Sequence, residues 1–155
     1  MPVYLVQHGK ARAEGADAER SLTDQGRADV ERIAGVAAQY RVPVSSIVHS
    51  GKLRARQTAA IFGEILGPGI PLEISEGMNP GDDVTSFASR LTAESNTMFV
   101  GHLPFMEKLV SYLLTGAVDR AIFKFQNGGI VCLDRPPSAS AGSWIIIWTL
   151  MPSIP

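Results

Sequence analysis

Pro2-Val3-Tyr4-Leu5-Val6-Gln7-His8-Gly9 opens the chain with an uninterrupted apolar run, then breaks into an amide, an imidazole and a glycine. The run does not alternate with polar residues, so residues 3–6 read as a strand buried on both faces, as in a parallel sheet. In such sheets ligands bind beyond the carboxyl ends of the strands. His8 therefore stands where an α/β domain keeps its chemistry, and Gly9 would let backbone approach a bound anion or turn unusually.

Working outward, residues 11–20 are small and polar, a loop. Thr23 is a good N-cap for a helix whose apolar positions include Ala28, Val30, Ile33, Ala34 and Ala37. Pro43 ends that region, and residues 44–49 form a second strand candidate. Ser50 is expected to cap the next helix, which stops at Gly67-Pro68-Gly69. A short strand over 71–75, a loop over 76–83 and a helix over 84–91 follow. Residues 97–100 read as a strand ending in Gly101-His102, and Pro104 suits the first turn of a helix reaching Leu114. Asn127-Gly128-Gly129 is a turn leading to a strand through Leu133. A Pro/Ser/Ala loop over 135–142 joins it to a last strand over 143–150, giving a hairpin. The order β-α-β-α-β-α-β-α-β-β predicts a three-layer α/β/α domain with a mostly parallel central sheet and an antiparallel edge.

At 155 residues the chain is expected to be one domain, 1–155, large enough to need no disulfide or metal staple. Its net charge of -1 offers no broad field to nucleic acid or to an anionic membrane, so neither is expected as a partner. The apolar stretch 144–151 is too short to span a bilayer as a helix. No basic leader precedes the first strand, and the single Cys132 sits in an apolar run. Together these favour a cytoplasmic, reducing location.

Three polar constellations fall at three strand ends: Gln7-His8-Gly9, His49-Ser50 leading to Arg54, and Gly101-His102. A lone loop histidine is ordinarily structural; two glycine-flanked histidines at two strand ends are not so easily dismissed. A histidine held in one tautomer can attack phosphorus with its other nitrogen. Arg54 and Thr58 share a helix face, whereas Arg56 should point elsewhere. The three histidines lack metal-ligand spacing, so no metal or other cofactor is expected, and His49 reads as structural. Ser50 lacks the Gly-x-Ser-x-Gly surroundings of an elbow nucleophile.

These motifs resemble the histidine phosphatase superfamily, the phosphoglycerate-mutase-like fold. Its Arg-His-Gly motif stands here as Gln7-His8-Gly9. Its serine followed by Arg-Ala-x-Gln-Thr is matched by Ser50, Arg54, Ala55, Gln57 and Thr58. Its Gly-His pair is Gly101-His102, and its Leu-Thr-x-x-Gly element is Leu22, Thr23 and Gly26. The short length and the Gly-His-x-Pro third motif look most like the small SixA-type phosphohistidine phosphatase branch. The resemblance implies a metal-independent phosphatase. His8 would become a phosphohistidine, Arg54 would grip phosphoryl oxygens, and His102 would stabilise developing charge. Gln7, Gly9, Arg20 and Ser50 would line the substrate. Arg20 stays open between this role and a surface one.

The sequence departs from the pattern at Gln7, which brings no charge and no bidentate fork. A proton donor is also hard to place: Glu76, Asp82 and Asp83 are candidates, the two aspartates equally as N-caps. An imidazole leaving group needs less protonation than an alkoxide, which favours protein phosphohistidine or another activated phosphoryl substrate over a sugar monoester. The expected partner is thus a phosphorylated protein or small phosphorylated molecule. The alternative is a weak or inactive relative that binds phosphate or phosphoprotein without turnover. A mutase would need larger insertions.

Overall fold

The structure, a computed structural model, describes all residues except Met1, Ala16, 92–94 and 138–141. Residue 16 of the expected loop 11–20, and residues 138–141 of the expected loop 135–142, therefore lie outside the described residues.

Among the described residues, six strands and four helices follow one another in the expected order. They are β1 (Val3–Gln7), α1 (Asp24–Gln39), β2 (Ser46–His49), α2 (Leu53–Leu66), β3 (Leu72–Ile74), α3 (Val84–Ala88), β4 (Thr97–Gly101), α4 (Phe105–Thr115), β5 (Ile130–Asp134) and β6 (Ile145–Leu150). The sheet runs β3-β2-β4-β1-β5-β6. The first four strands in that order are parallel, while β5 pairs antiparallel with both β1 and β6.

Every residue of β1 is buried because both faces of the sheet are covered. Val3 and Leu5 pack with Phe87, Phe105, Leu109 and Val110 from α3 and α4. Tyr4 and Val6 pack with Val30, Ile33, Ala59 and Phe62 from α1 and α2. These are the three expected layers, and the lack of alternation in residues 3–6 is their signature.

Local chemistry sets the element ends. Thr23 caps α1, its Oγ1 accepting from Gly26 N at 2.9 Å. Asp83 caps α3, accepting from Thr85 N at 3.0 Å and from the hydroxyls of Thr85 and Ser86. α3 stops at Ala88 rather than Leu91 because Arg90 N and Leu91 N bond only three residues back, tightening the last turn. β2 begins at Ser46 rather than residue 44, since Ser45 N is drawn to the carbonyl of Asn96, outside β4.

One expected cap is corrected. Ser50 does not cap α2; Lys52 occupies the cap position, with no side-chain cap. Gly51, at φ +91°, turns the chain between β2 and α2. That turn brings the Ser50 hydroxyl to His102, leaving it only a 3.4 Å approach from Lys52 N.

Candidate active site

Strand register assembles the site. Gln7 on β1 pairs with Gly101 on β4, and His49 on β2 pairs with Val100 on β4. The next residues along each strand, His8, Ser50 and His102, must then emerge side by side at the carboxyl edge of the sheet. The rings of His8 and His102 lie 5.1 Å apart, centroid to centroid, tilted by 49°. His8 N donates to the Gly101 carbonyl at 3.0 Å, which joins the two histidine turns directly.

The tautomer of His8 follows from its partner. Its Nδ1 lies 2.7 Å from the Gly9 carbonyl oxygen. A carbonyl can only accept, so Nδ1 carries the proton and Nε2 keeps its lone pair. Burial drives the His8 pKa down to about 4, against an opposing pull from the Gly9 bond and with help from Arg54 and Arg20. The ring is therefore neutral near pH 7 and nucleophilic at Nε2.

His102 is almost fully buried. Its pKa is pushed down to about 3, first by burial, then by the charges of His8, Arg54, Lys52 and Arg20. Its Nε2 meets Ser50 Oγ at 2.5 Å, and its Nδ1 is buried with no protein partner. Arg54 Nε is likewise buried without a partner. Burial, then Arg20, lowers the Arg54 pKa. Neutral imidazoles packed beside a guanidinium, with the Arg54 Nε–H unpaired, make a pocket whose chemistry suits an anion.

Arg20 belongs to this electrostatic group, since its charge acts on His8, Arg54 and His102. Its backbone sits at φ +53°, an uncommon conformation for a non-glycine residue, and its Nε donates to the Arg12 carbonyl at 3.1 Å. Arg12 itself is turned to Ser21 and Asp17. Arg56 is exposed, and its charge is felt at His49. His49 Nδ1 accepts from Gly51 N at 3.1 Å, which makes it part of the turn.

Gly9 serves packing. A Cβ there would stand 2.8 Å from a Val30 methyl and 3.2 Å from a Leu22 methyl, so α1 could not close over the His8 loop. Gln7 is buried, and its Oε1 has no protein partner. Among the acid candidates, Asp83 is committed to its cap and Asp82 Oδ2 accepts from Asn79 N at 2.8 Å. Glu76 is exposed, and no carboxylate is among the charges that shift His8 or His102.

Two residues that the sequence places in a motif and in a turn, without a role in the site, shape it. Thr58, fully buried, accepts from Gly9 N at 2.9 Å and donates to the Arg54 carbonyl at 2.8 Å, so one hydroxyl ties the His8 loop to Arg54. Asn127 Nδ2 donates to the His8 carbonyl at 3.0 Å, while Gly128 N donates to the Gln7 carbonyl at 2.8 Å. Thr58 is marked by its motif and by its spacing from Arg54, though its bond to Gly9 is not. The role of Asn127 is not marked, because only the β1–β5 pairing places its turn beside His8. An apolar groove of about 640 Å³ between Tyr40 and Trp148 lies at the other end of β1 and shares no residue with the site. Among the described residues no cluster of histidine, cysteine and acid side chains is placed to hold a metal ion, and no helix is long and apolar enough to cross a membrane.

Comparison with known proteins agrees with this geometry. The description "Histidine phosphatase superfamily (branch 1)" matches residues 3–80. Phosphohistidine phosphatase SixA of Escherichia coli K12 is 29% identical over 122 residues, covering 75% of this chain and 76% of that one. The solved structure of the protein histidine phosphatase SixA complexed with tungstate superposes with a TM-score of 0.83 at 25% identity, covering 98% of this chain and 97% of that one. A SixA-type structure from Agrobacterium tumefaciens gives a TM-score of 0.77 at 28% identity, with 96% of each chain covered. With half of its length matched to the family and nearly all of its fold shared with these structures, the chain belongs to the histidine phosphatase superfamily, branch 1, and is a hydrolase of the phosphatase class.

Proposed function

We propose that this protein is a metal-independent phosphatase that works through a phosphohistidine on His8, with protein phosphohistidine or another activated phosphoryl group as substrate. Residues 1–155 act as one catalytic domain. The observation that carries the reading is the His8 tautomer: Nδ1 bonded to the Gly9 carbonyl, a bare Nε2, and a ring kept neutral by burial.

In this reading Nε2 attacks phosphorus in line while the bond from phosphorus to the substrate's imidazole nitrogen breaks. Water then attacks the phosphoenzyme, releasing inorganic phosphate and returning His8 to its starting form. The Arg54 guanidinium binds phosphoryl oxygens, Arg20 adds positive potential, and His102, oriented by Ser50, faces the charge that builds in the transition state. The likeness to phosphohistidine phosphatase SixA supports the substrate class. So does the commitment of Asp82 and Asp83 to local hydrogen bonds, because an imidazole leaving group needs little proton donation.

Gln7 favours a second reading. A buried carboxamide where the family resemblance places arginine leaves the pocket one charge short, as in a phosphate or phosphoprotein sensor. Single-turnover dephosphorylation of a phosphohistidine peptide, with EDTA present, separates the two. Turnover by wild type and none by His8→Ala supports the phosphatase. Phosphate or vanadate binding without turnover supports the sensor.

A further inference from the structure

Beside the site lies a groove that the chemistry does not use. After α4 the chain reverses at Gly116, and residues 117–126 return along that helix. A groove of about 620 Å³ separates this segment from the first turn of α4. Both walls run into the site. Pro104 belongs to one wall and follows His102 by two residues; Lys124 belongs to the other and leads to Asn127, which holds the His8 carbonyl. One end of the groove, at Pro104, therefore stands at the same carboxyl edge of the sheet as His102.

The lining has a definite chemistry. Val118 and Ile122 are 38% and 47% exposed, and Lys108, Arg120 and Lys124 are exposed around them. Two acidic residues, Glu107 and Asp119, also line the groove. Glu107 is occupied, its Oε1 accepting from Phe125 N at 3.3 Å. Three cations thus outnumber two carboxylates, of which Glu107 is turned to the groove wall, and the groove carries a small net positive charge on a chain whose net charge is -1. That local excess of positive charge, set beside the exposed Val118 and Ile122, favours an occupant that brings both negative charge and apolar side chains.

We propose that this groove docks an acidic segment with apolar residues, next to the phosphorylated residue of a substrate protein. The inference rests on the phosphatase reading and narrows its substrate to a phosphoprotein with acidic flanks. A small phosphoramidate, held at His8 alone, does not reach the groove.

The test uses synthetic phosphohistidine peptides flanked by Glu and Leu, by Ser, or by Lys and Leu, with phosphoimidazole as the small substrate. Wild type is expected to prefer the acidic over the basic peptide by on the order of tenfold in kcat/KM, less at high salt. The K108E/R120E/K124E variant should lose or reverse that preference while cleaving phosphoimidazole like wild type. The milder Lys108→Gln/Lys124→Gln pair should weaken it in the same direction, should the triple variant fold poorly. Equal rates on all peptides by wild type, with phosphoimidazole still cleaved, overturn the docking groove and leave the phosphatase standing. A preference that survives the charge reversals also overturns it. Failure of wild type on every substrate overturns both.

Discussion

Replacing Thr58 by valine removes one hydroxyl and almost no volume. That hydroxyl is fully buried and holds Gly9 N at 2.9 Å on one side and the Arg54 carbonyl at 2.8 Å on the other. The carbonyl keeps its place in α2, but the Gly9 amide is left buried with nothing to donate to. An orphaned buried donor costs about 1–3 kcal/mol. In a domain of this size each kcal/mol lowers Tm by about 2–4 °C, so Thr58→Val should melt about 2–12 °C below wild type. Activity should fall further than stability accounts for, because Gly9 also fixes the His8 ring through its carbonyl. A displacement of about 1 Å at a reacting atom can cost on the order of 10² in rate. The assay is calorimetry alongside kcat/KM on phosphoimidazole, well below the melting range. Thr58→Ser, which keeps the hydroxyl, should recover most of both losses. A Thr58→Val protein with wild-type Tm and wild-type kcat/KM would refute the idea that this hydroxyl links the His8 loop to Arg54.

Other perturbations follow from the same geometry. Gly26→Ala places a Cβ 2.1 Å from the Lys10 carbonyl oxygen, a backbone atom that cannot step aside, so α1 must shift; a loss of about 1–3 kcal/mol in urea unfolding is expected. His8 and His102 both titrate below the ordinary 6.5, at about 4 and about 3, so their stabilising effect is full above pH 6.5 and fades as pH falls toward those values. Unfolding followed between pH 7 and pH 4 should therefore show a decline that shrinks in the His8→Asn/His102→Asn double variant. Gln7→Arg supplies the missing charged donor and should raise turnover, by as much as 10²–10³-fold on the order-of-magnitude worth of one such group. Unchanged or lower single-turnover rates would mean that the pocket is adapted to glutamine.

Much of this was legible in the sequence because strand ends and helix periods are local signals. Residues 3–6 showed a doubly covered strand by their failure to alternate, and the two glycine-flanked histidines marked the carboxyl edge of the sheet. What the sequence hid depends on which strands become neighbours. Ser50 precedes a helix and looks like its cap, yet β2–β4 pairing puts it against His102, and that contact wins over the Lys52 amide. Asn127 reads as turn chemistry until β5 pairs with β1 and carries it to His8. Gly9 suggests space for an anion, and its contacts with Val30 and Leu22, visible only in the fold, show that it also leaves room for α1. Asp83 illustrates the opposite case: its capping use was as visible as its acidity, and the fold employs it as the cap of α3, whereas Asp82, expected equally as a cap, instead accepts from Asn79 N in the preceding turn.

The central claim is that His8 Nε2 takes the phosphoryl group. The direct measurement is intact-mass and peptide mapping of protein mixed briefly with phosphoimidazole and quenched in alkali, where phosphohistidine survives. Wild type should gain one phosphoryl group, located on His8, with EDTA present, and His8→Ala should gain none. A phosphoryl group on any other residue, or turnover that persists in His8→Ala, would contradict it.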